Sequence, residues 1–312
     1  MKTTLPERSL VIQERLDNIV KEILAVAKDK IAMIILFGSY ARGDWVQDVY
    51  REGHIIYSYQ SDIDILLCLR KSKYRGHIAL RVKQDIQNRF KKKGIVLPPR
   101  QLPQPLSIED VREYIREPRV TLIAEPIARV NDQLEKGRYF FTDIKKQGIL
   151  LYDNGEFQLT EARDLPWEER RQIASEDYEY WFKKGKEFLA FTYYALERGS
   201  LNDAAFLLHQ STESFYNTIL LVFTGYKPKL HDIEELGADA GTHNAGLITI
   251  FPMALSEQSE AFKLLKDAYI EARYNKNYQI SKEQLLYLIE RVEKLQSMTQ
   301  TTCLEYINRK EV

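Results

Sequence analysis

Apolar residues at the start of the chain recur every three or four positions. Leu10, Ile12, Leu16, Ile19, Val20, Ile23 and Leu24 predict an amphipathic helix across residues 6–28. The period then changes. Residues 31–37 form an unbroken, β-branched run, short enough for a buried strand, and Gly38-Ser39 ends it. The polar stretch from Tyr40 to about Val49 fits a helix. Residues 50–60 carry Gly53 and alternate Ile55, Tyr57 and Tyr59 with other residues, which fits a hairpin or an extended loop. Residues 62–69 read as a second buried strand and 77–93 as a basic helix. Pro98, Pro99, Pro103 and Pro105 exclude regular structure across 97–106. Ser107 with Asp110 marks a helix start. A third strand follows over 119–127, then helices at 128–136 and 140–147, and a last strand at 149–152.

After about residue 160 the pattern becomes helical throughout. Candidate helices span 168–198, 202–224, 256–277 and 281–309, and Ser200/Asp203 and Ser281/Gln284 have capping-box spacing. Alternating strands and helices in the first part and helices alone in the second predict two domains, 1–160 and 161–312.

Composition narrows the picture only a little. The 312 residues are 44% hydrophobic and 29% charged, with formal net charge zero, so no excess of cations marks a nucleic-acid coat protein. No signal-like apolar core opens the chain, and no apolar stretch approaches the roughly 20 residues that span a bilayer. The expected location is cytoplasmic, without membrane contact. Cys68 and Cys303 lie far apart and read as two buried or partly exposed thiols.

The candidate chemistry lies where two apolar runs meet polar residues. Asp62 and Asp64 open the second buried run at i and i+2, so an extended backbone projects both carboxylates to one face, where they can share a metal. The plainer reading is a pair of acids capping a turn. Gly38-Ser39 closes the first run, and glycine there lets a phosphate approach the backbone. Its plainer reading is an ordinary strand-to-helix turn.

Gly38-Ser39-Tyr40-Ala41-Arg42-Gly43-Asp44 followed by Ser61-Asp62-Ile63-Asp64 resembles the signature of the DNA polymerase β-like nucleotidyltransferases, above all the minimal nucleotidyltransferases and kanamycin nucleotidyltransferase. The resemblance covers roughly residues 10–155. It implies a mixed sheet flanked by helices, so that the fold class of the chain is α+β: this sheet domain followed by an all-α bundle. It implies transfer of a nucleoside monophosphate from an NTP, with ATP the expected donor, to a hydroxyl acceptor. It implies that Asp62 and Asp64 bind two Mg²⁺ ions and that Gly38 and Ser39 hold the β- and γ-phosphates, with Arg42 neutralising phosphate charge. A third catalytic carboxylate belongs on a later strand, and Glu125 is the best placed acid. Residues 40–61 make the gap between Ser39 and Asp62 about twice that of the small bacterial branch, and the extra length is the 50–60 segment.

In the second half, Ala204-Ala205-Phe206-Leu207-Leu208-His209-Gln210-Ser211-Thr212-Glu213 and Gly225-Tyr226-Lys227-Pro228-Lys229-Leu230-His231-Asp232-Ile233 resemble the HEPN domain, over roughly 170–309. Many HEPN domains are RNases with an R-x(4–6)-H motif. Here Arg273 is followed by Tyr278, Gln279 and Ile280 where the histidine would stand, so no RNase chemistry of that type is expected. Arg273 remains a candidate phosphate contact or salt-bridge partner. Within 202–224, His209, Glu213 and Tyr216 form a polar stripe, which fits a site or a set of bonds across the bundle.

Two functions follow from these resemblances. The first is a Mg²⁺-dependent nucleotidyltransferase acting on a small molecule or a protein, nucleic acid being the less expected acceptor, with a HEPN accessory domain. The second is a catalytically weak nucleotide-binding or antitoxin-like module of toxin–antitoxin type. Both families often dimerise, which implies a homodimer, and a separate protein partner fits the second reading.

Overall fold

The computed structural model describes residues 1–52, 55–95, 107–115, 117–228 and 230–309. The proline-rich stretch expected to be irregular at 97–106 lies outside these residues. The chain divides into two compact units, Met1–Asp164 and Leu165–Val312.

In the first unit a 3-10 turn at Glu7–Ile12 leads into α1, Gln13–Ala27. β1 follows at Ile31–Phe37, then the five-residue α2 at Gly38–Arg42. The helix expected to continue to about Val49 stops there because Gly43 adopts a left-handed conformation, φ 86°, and turns the chain away. β2, Gln47–Glu52, pairs antiparallel with β3, Ile55–Gln60, so the inserted segment is a hairpin. β4, Ile63–Leu69, α3, His77–Lys92, α4, Ile108–Tyr114, and β5, Val120–Pro126, come next. The unit ends with α5, Ile127–Glu135, α6, Tyr139–Gln147, and β6, Ile149–Asp153.

The sheet order is β5-β4-β1-β6. β1 runs antiparallel to both β4 and β6, and β4 runs parallel to β5, so the sheet is mixed. Alternate residues on β4, Ile63, Ile65, Leu67 and Leu69, join Leu16, Ile19 and Ile23 of α1 and Val82, Ile86 and Phe90 of α3 in one core. Asp62 and Asp64 are out of step with that set and belong to the opposite sheet face. β5 obeys the same rule. Val120, Leu122 and Ala124 pack toward the α1/α3 core, leaving Thr121, Ile123 and Glu125 on the face of the two aspartates.

The second unit is helical: α7, Trp167–Glu197, α8, Leu201–Thr224, α9, Ile233–Gly241, α10, Ser256–Asp267, α11, Glu271–Tyr274, and α12, Lys282–Asn308. α8 is the central helix, with Ala205, Leu208, Phe215, Ile219 and Val222 in the core. Gly185 of α7 admits Phe215, since a Cβ there would come within 2.6 Å of the ring. The expected helix at 256–277 is broken after Asp267, and a further helix, α9, precedes it. Ser281 closes a capping box with Gln284, whereas Ser200 makes no side-chain cap bond. No helix among the described residues is long and apolar enough to cross a membrane.

Candidate functional site

The end of β1, the start of β4 and the start of β5 converge on one edge of the first unit. Phe37 pairs with Asp64 across β1 and β4, which brings Gly38 against the Asp64 side chain. Gly38 has φ +74°, and a Cβ there would lie 2.3 Å from Asp64 Oδ2. Glycine is thus required twice, by the left-handed backbone and by the carboxylate beside it. Ser39 follows in the first turn of α2, half-buried, and its carbonyl accepts from the Gly43 and Asp44 amides. α2 begins at Gly38 itself, so Ser39 is not its cap.

The loop is pinned from behind. Tyr40 is buried and stacks on Trp45 at 5.2 Å, and the Arg8 guanidinium covers the outer face of that indole. The Ser9 hydroxyl donates to the Tyr40 carbonyl at 2.7 Å. On the other side, Ser61 Oγ accepts from the Val46 amide at 2.9 Å and ties the base of the hairpin to the start of β4. Gln47 at the foot of β2 donates to the Ile115 carbonyl, anchoring the hairpin to the end of α4. Backbone position, rather than side-chain reach, therefore fixes where Gly38 meets Asp64.

Asp62 is half-buried. Burial pushes its carboxyl above the ordinary range, against a hydrogen bond from Thr121 and the attraction of Arg119. Thr121 Oγ1 donates to Asp62 Oδ2 at 3.2 Å. A desolvated acid is stabilised in its charged form by any cation that reaches it.

Glu125 is not brought to these acids. In the parallel register Asp64 pairs with Thr121 and Glu125 pairs with Cys68, four residues further along. At roughly 3.3 Å per residue that is about 13 Å away on the same face. Glu125 is fully buried there, 3.4 Å from Arg129 of α5. Thr121, not Glu125, is the β5 residue opposite Asp64. Arg42 is exposed and pairs with Asp44 at 2.9 Å. Among the described residues no group of three or more His, Cys, Asp or Glu side chains forms a metal-ligand set.

A second polar cluster lies within the helical unit. Glu213 is buried, with Oε2 2.9 Å from His231 Nδ1 and 4.0 Å from His209 Nε2, and Oε1 4.0 Å from Lys227. His209 Nδ1 donates to the Leu265 carbonyl at 2.9 Å, and burial holds this imidazole below its ordinary pKa. His231 stacks on Tyr269 at 4.3 Å, while Tyr216 lies against Gly237 of α9. The His209/Glu213/Tyr216 stripe thus makes bonds and contacts across the bundle. His231 reaches Glu213, and Asp232 rather than His231 is the cap of α9.

Arg273 donates from Nε to the Tyr269 carbonyl at 2.7 Å and lies over the rings of Phe206, Tyr269 and Tyr274. Tyr278, where the R-x(4–6)-H spacing would first place a histidine, is buried and donates to the Leu264 carbonyl at 3.0 Å.

Sequence reasoning missed Thr121 and the Glu213–His231 pair. Thr121 had a weak signal, as a polar residue in an apolar strand. His231 is preceded by a loop of unforeseeable path and had none.

Residues 178–301 match the family model of the HEPN domain, which places a HEPN domain in the helical unit. No curated protein matches the chain.

Proposed function

We propose that this chain joins its HEPN domain to a site for a Mg²⁺-bound nucleoside triphosphate, and that the site transfers a nucleoside monophosphate to a hydroxyl acceptor. The observation that carries this reading is the meeting of Gly38 and Asp64. A backbone with no room for a Cβ, set against a carboxylate, is what a phosphate approaching a metal-binding acid requires. The donor set suits the ion: two carboxylates at i and i+2 on one face, with the remaining coordination left to water and phosphate oxygens. A bound Mg²⁺ would supply neutralisation of the triphosphate charge. The backbone at Gly38 and the Ser39 hydroxyl would orient the β- and γ-phosphates. The acceptor oxygen would bond to the α-phosphorus as the bond to the bridging oxygen breaks. Pyrophosphate would leave, and the acceptor's proton would pass to solvent.

One observation favours a second reading, in which the unit binds the nucleotide and transfers it poorly or not at all. Thr121 stands opposite Asp64, and Glu125 is about 13 Å along the strand. Among the described residues of β5, no carboxylate then stands opposite Asp64 to serve as a base. The HEPN domain in either reading is an accessory or interaction module without the R-x(4–6)-H imidazole. Calorimetry with ATP, with and without Mg²⁺, tests binding. A label-transfer assay with α-phosphate-labelled ATP and a panel of small-molecule and protein acceptors separates the two readings. Mg²⁺-dependent binding with transfer supports the first, binding alone supports the second, and no binding removes both.

A further inference from the structure

We infer that the Asp62–Asp64 site takes one divalent cation with its nucleotide rather than two. This rests on the nucleotide reading above and sharpens it. Two dications about 4 Å apart repel strongly, and such pairs are held where several carboxylates bridge and flank them. On the sheet face that carries Asp62 and Asp64, β5 offers Thr121, then Ile123, then Glu125. Thr121 is neutral and its hydroxyl proton is directed at Asp62 Oδ2, so it fills one acceptor position of that carboxylate without adding charge. Ile123 is apolar. Glu125 is fully buried beside Arg129, four residues from Thr121. Asp44, the acid nearest to the Gly38-Ser39 loop in the chain, is exposed and paired with Arg42.

One Mg²⁺ needs less. It is commonly bound by one or two carboxylates, with phosphate oxygens and water completing the shell. Asp62 and Asp64 meet that requirement beside the Gly38 backbone, and Thr121 acts as a neutral spacer that excludes a second ion.

The test counts ions on the full-length chain. Mn²⁺ is titrated by electron paramagnetic resonance in the presence of an ATP analogue with a methylene group between the α- and β-phosphorus. One Mn²⁺ per chain is expected for the unaltered protein and two for Thr121→Asp. Asp64→Asn should weaken Mn²⁺ binding by at least about tenfold. Thr121→Val, which removes the hydroxyl and adds no charge, should keep a single ion, and circular dichroism verifies that each variant is folded. Two Mn²⁺ ions on the unaltered chain, or loss of the ion in folded Thr121→Val, would overturn the inference and leave the nucleotide reading intact. A folded chain that binds the analogue and no Mn²⁺ would overturn the metal assignment itself.

Discussion

Asp62 and Glu213 are both carboxylates set into apolar frameworks, and the chain treats them in opposite ways. Glu213 lies on the central helix of the second unit with two imidazoles and an ammonium within 4.0 Å. Asp62 lies at the start of a buried strand with one hydroxyl on it, and burial raises its pKa. An acid met by the fold's own donors, His231 Nδ1 and the Lys227 ammonium, serves to hold a loop to a helix. An acid left desolvated with a hydroxyl creates a place for a cation from outside. The difference separates a structural carboxylate from a candidate ligand more sharply than the residue type or its neighbours in sequence do.

The comparison breaks most clearly at Asp64. Asp64→Asn should lower nucleotidyl transfer at least about hundredfold, as expected for loss of a direct metal ligand, with a melting temperature close to that of the unaltered chain. Transfer assays and calorimetric melting on one preparation check both halves. Full activity in the variant would remove the metal assignment.

Glu213→Ala should do the reverse. It leaves His231 Nδ1 and the Lys227 ammonium without their carboxylate partner, and the cost is about 2 kcal/mol, within the range for losing a hydrogen bond to a charged group. Denaturant unfolding measures it, and Mg²⁺–ATP binding should be unaffected. A loss below about 0.5 kcal/mol would place Glu213 among surface charges.

Acid should weaken the second unit before it weakens the first. Burial holds the His209 imidazole below its ordinary value of 6.5, so the folded chain refuses a proton that the unfolded chain accepts. Stability is therefore complete above pH 6.5 and declines as pH falls from there toward the folded pKa. Burial displaces His243 in the same direction. His209→Gln should make the decline shallower in denaturant midpoints measured from pH 7 to 5, and an unchanged slope would assign the effect elsewhere.

The smallest expected effect concerns the two serine caps. Ser281→Ala should cost about 1 kcal/mol, because its hydroxyl accepts from the Gln284 amide. Ser200→Ala should cost close to nothing, since Ser200 makes no cap bond. Equal losses would contradict the geometry.

What could be read from sequence was local. The apolar runs at 31–37 and 63–69 and the 3.6-residue stripe of α8 required only neighbouring residues, and so did the capping box at Ser281. The alternation that places Asp62 and Asp64 on one face was legible for the same reason. Register was not. Whether Thr121 or Glu125 faces Asp64 depends on how β5 slides along β4, which no local signal specifies. The break at Asp267 was equally hidden, since Leu264, Leu265, Ala268 and Ala272 continue a helical pattern through it. The chain turns there and Tyr269 lies against the rings of His209 and His231. α9 went undelimited because it is short and carries Gly237 and Gly241, and Gly237 admits the Tyr216 ring. Both are tertiary demands that override local preference.

Asp62 and Asp64, beside Gly38, are proposed to form a Mg²⁺–nucleotide site. Titration calorimetry of the full-length chain with ATP, in Mg²⁺ and again in EDTA, tests it most directly, with Asp64→Asn as the control. The account predicts binding that requires Mg²⁺ and is lost in the variant. Binding of equal strength in EDTA, or unchanged binding by Asp64→Asn, would contradict it.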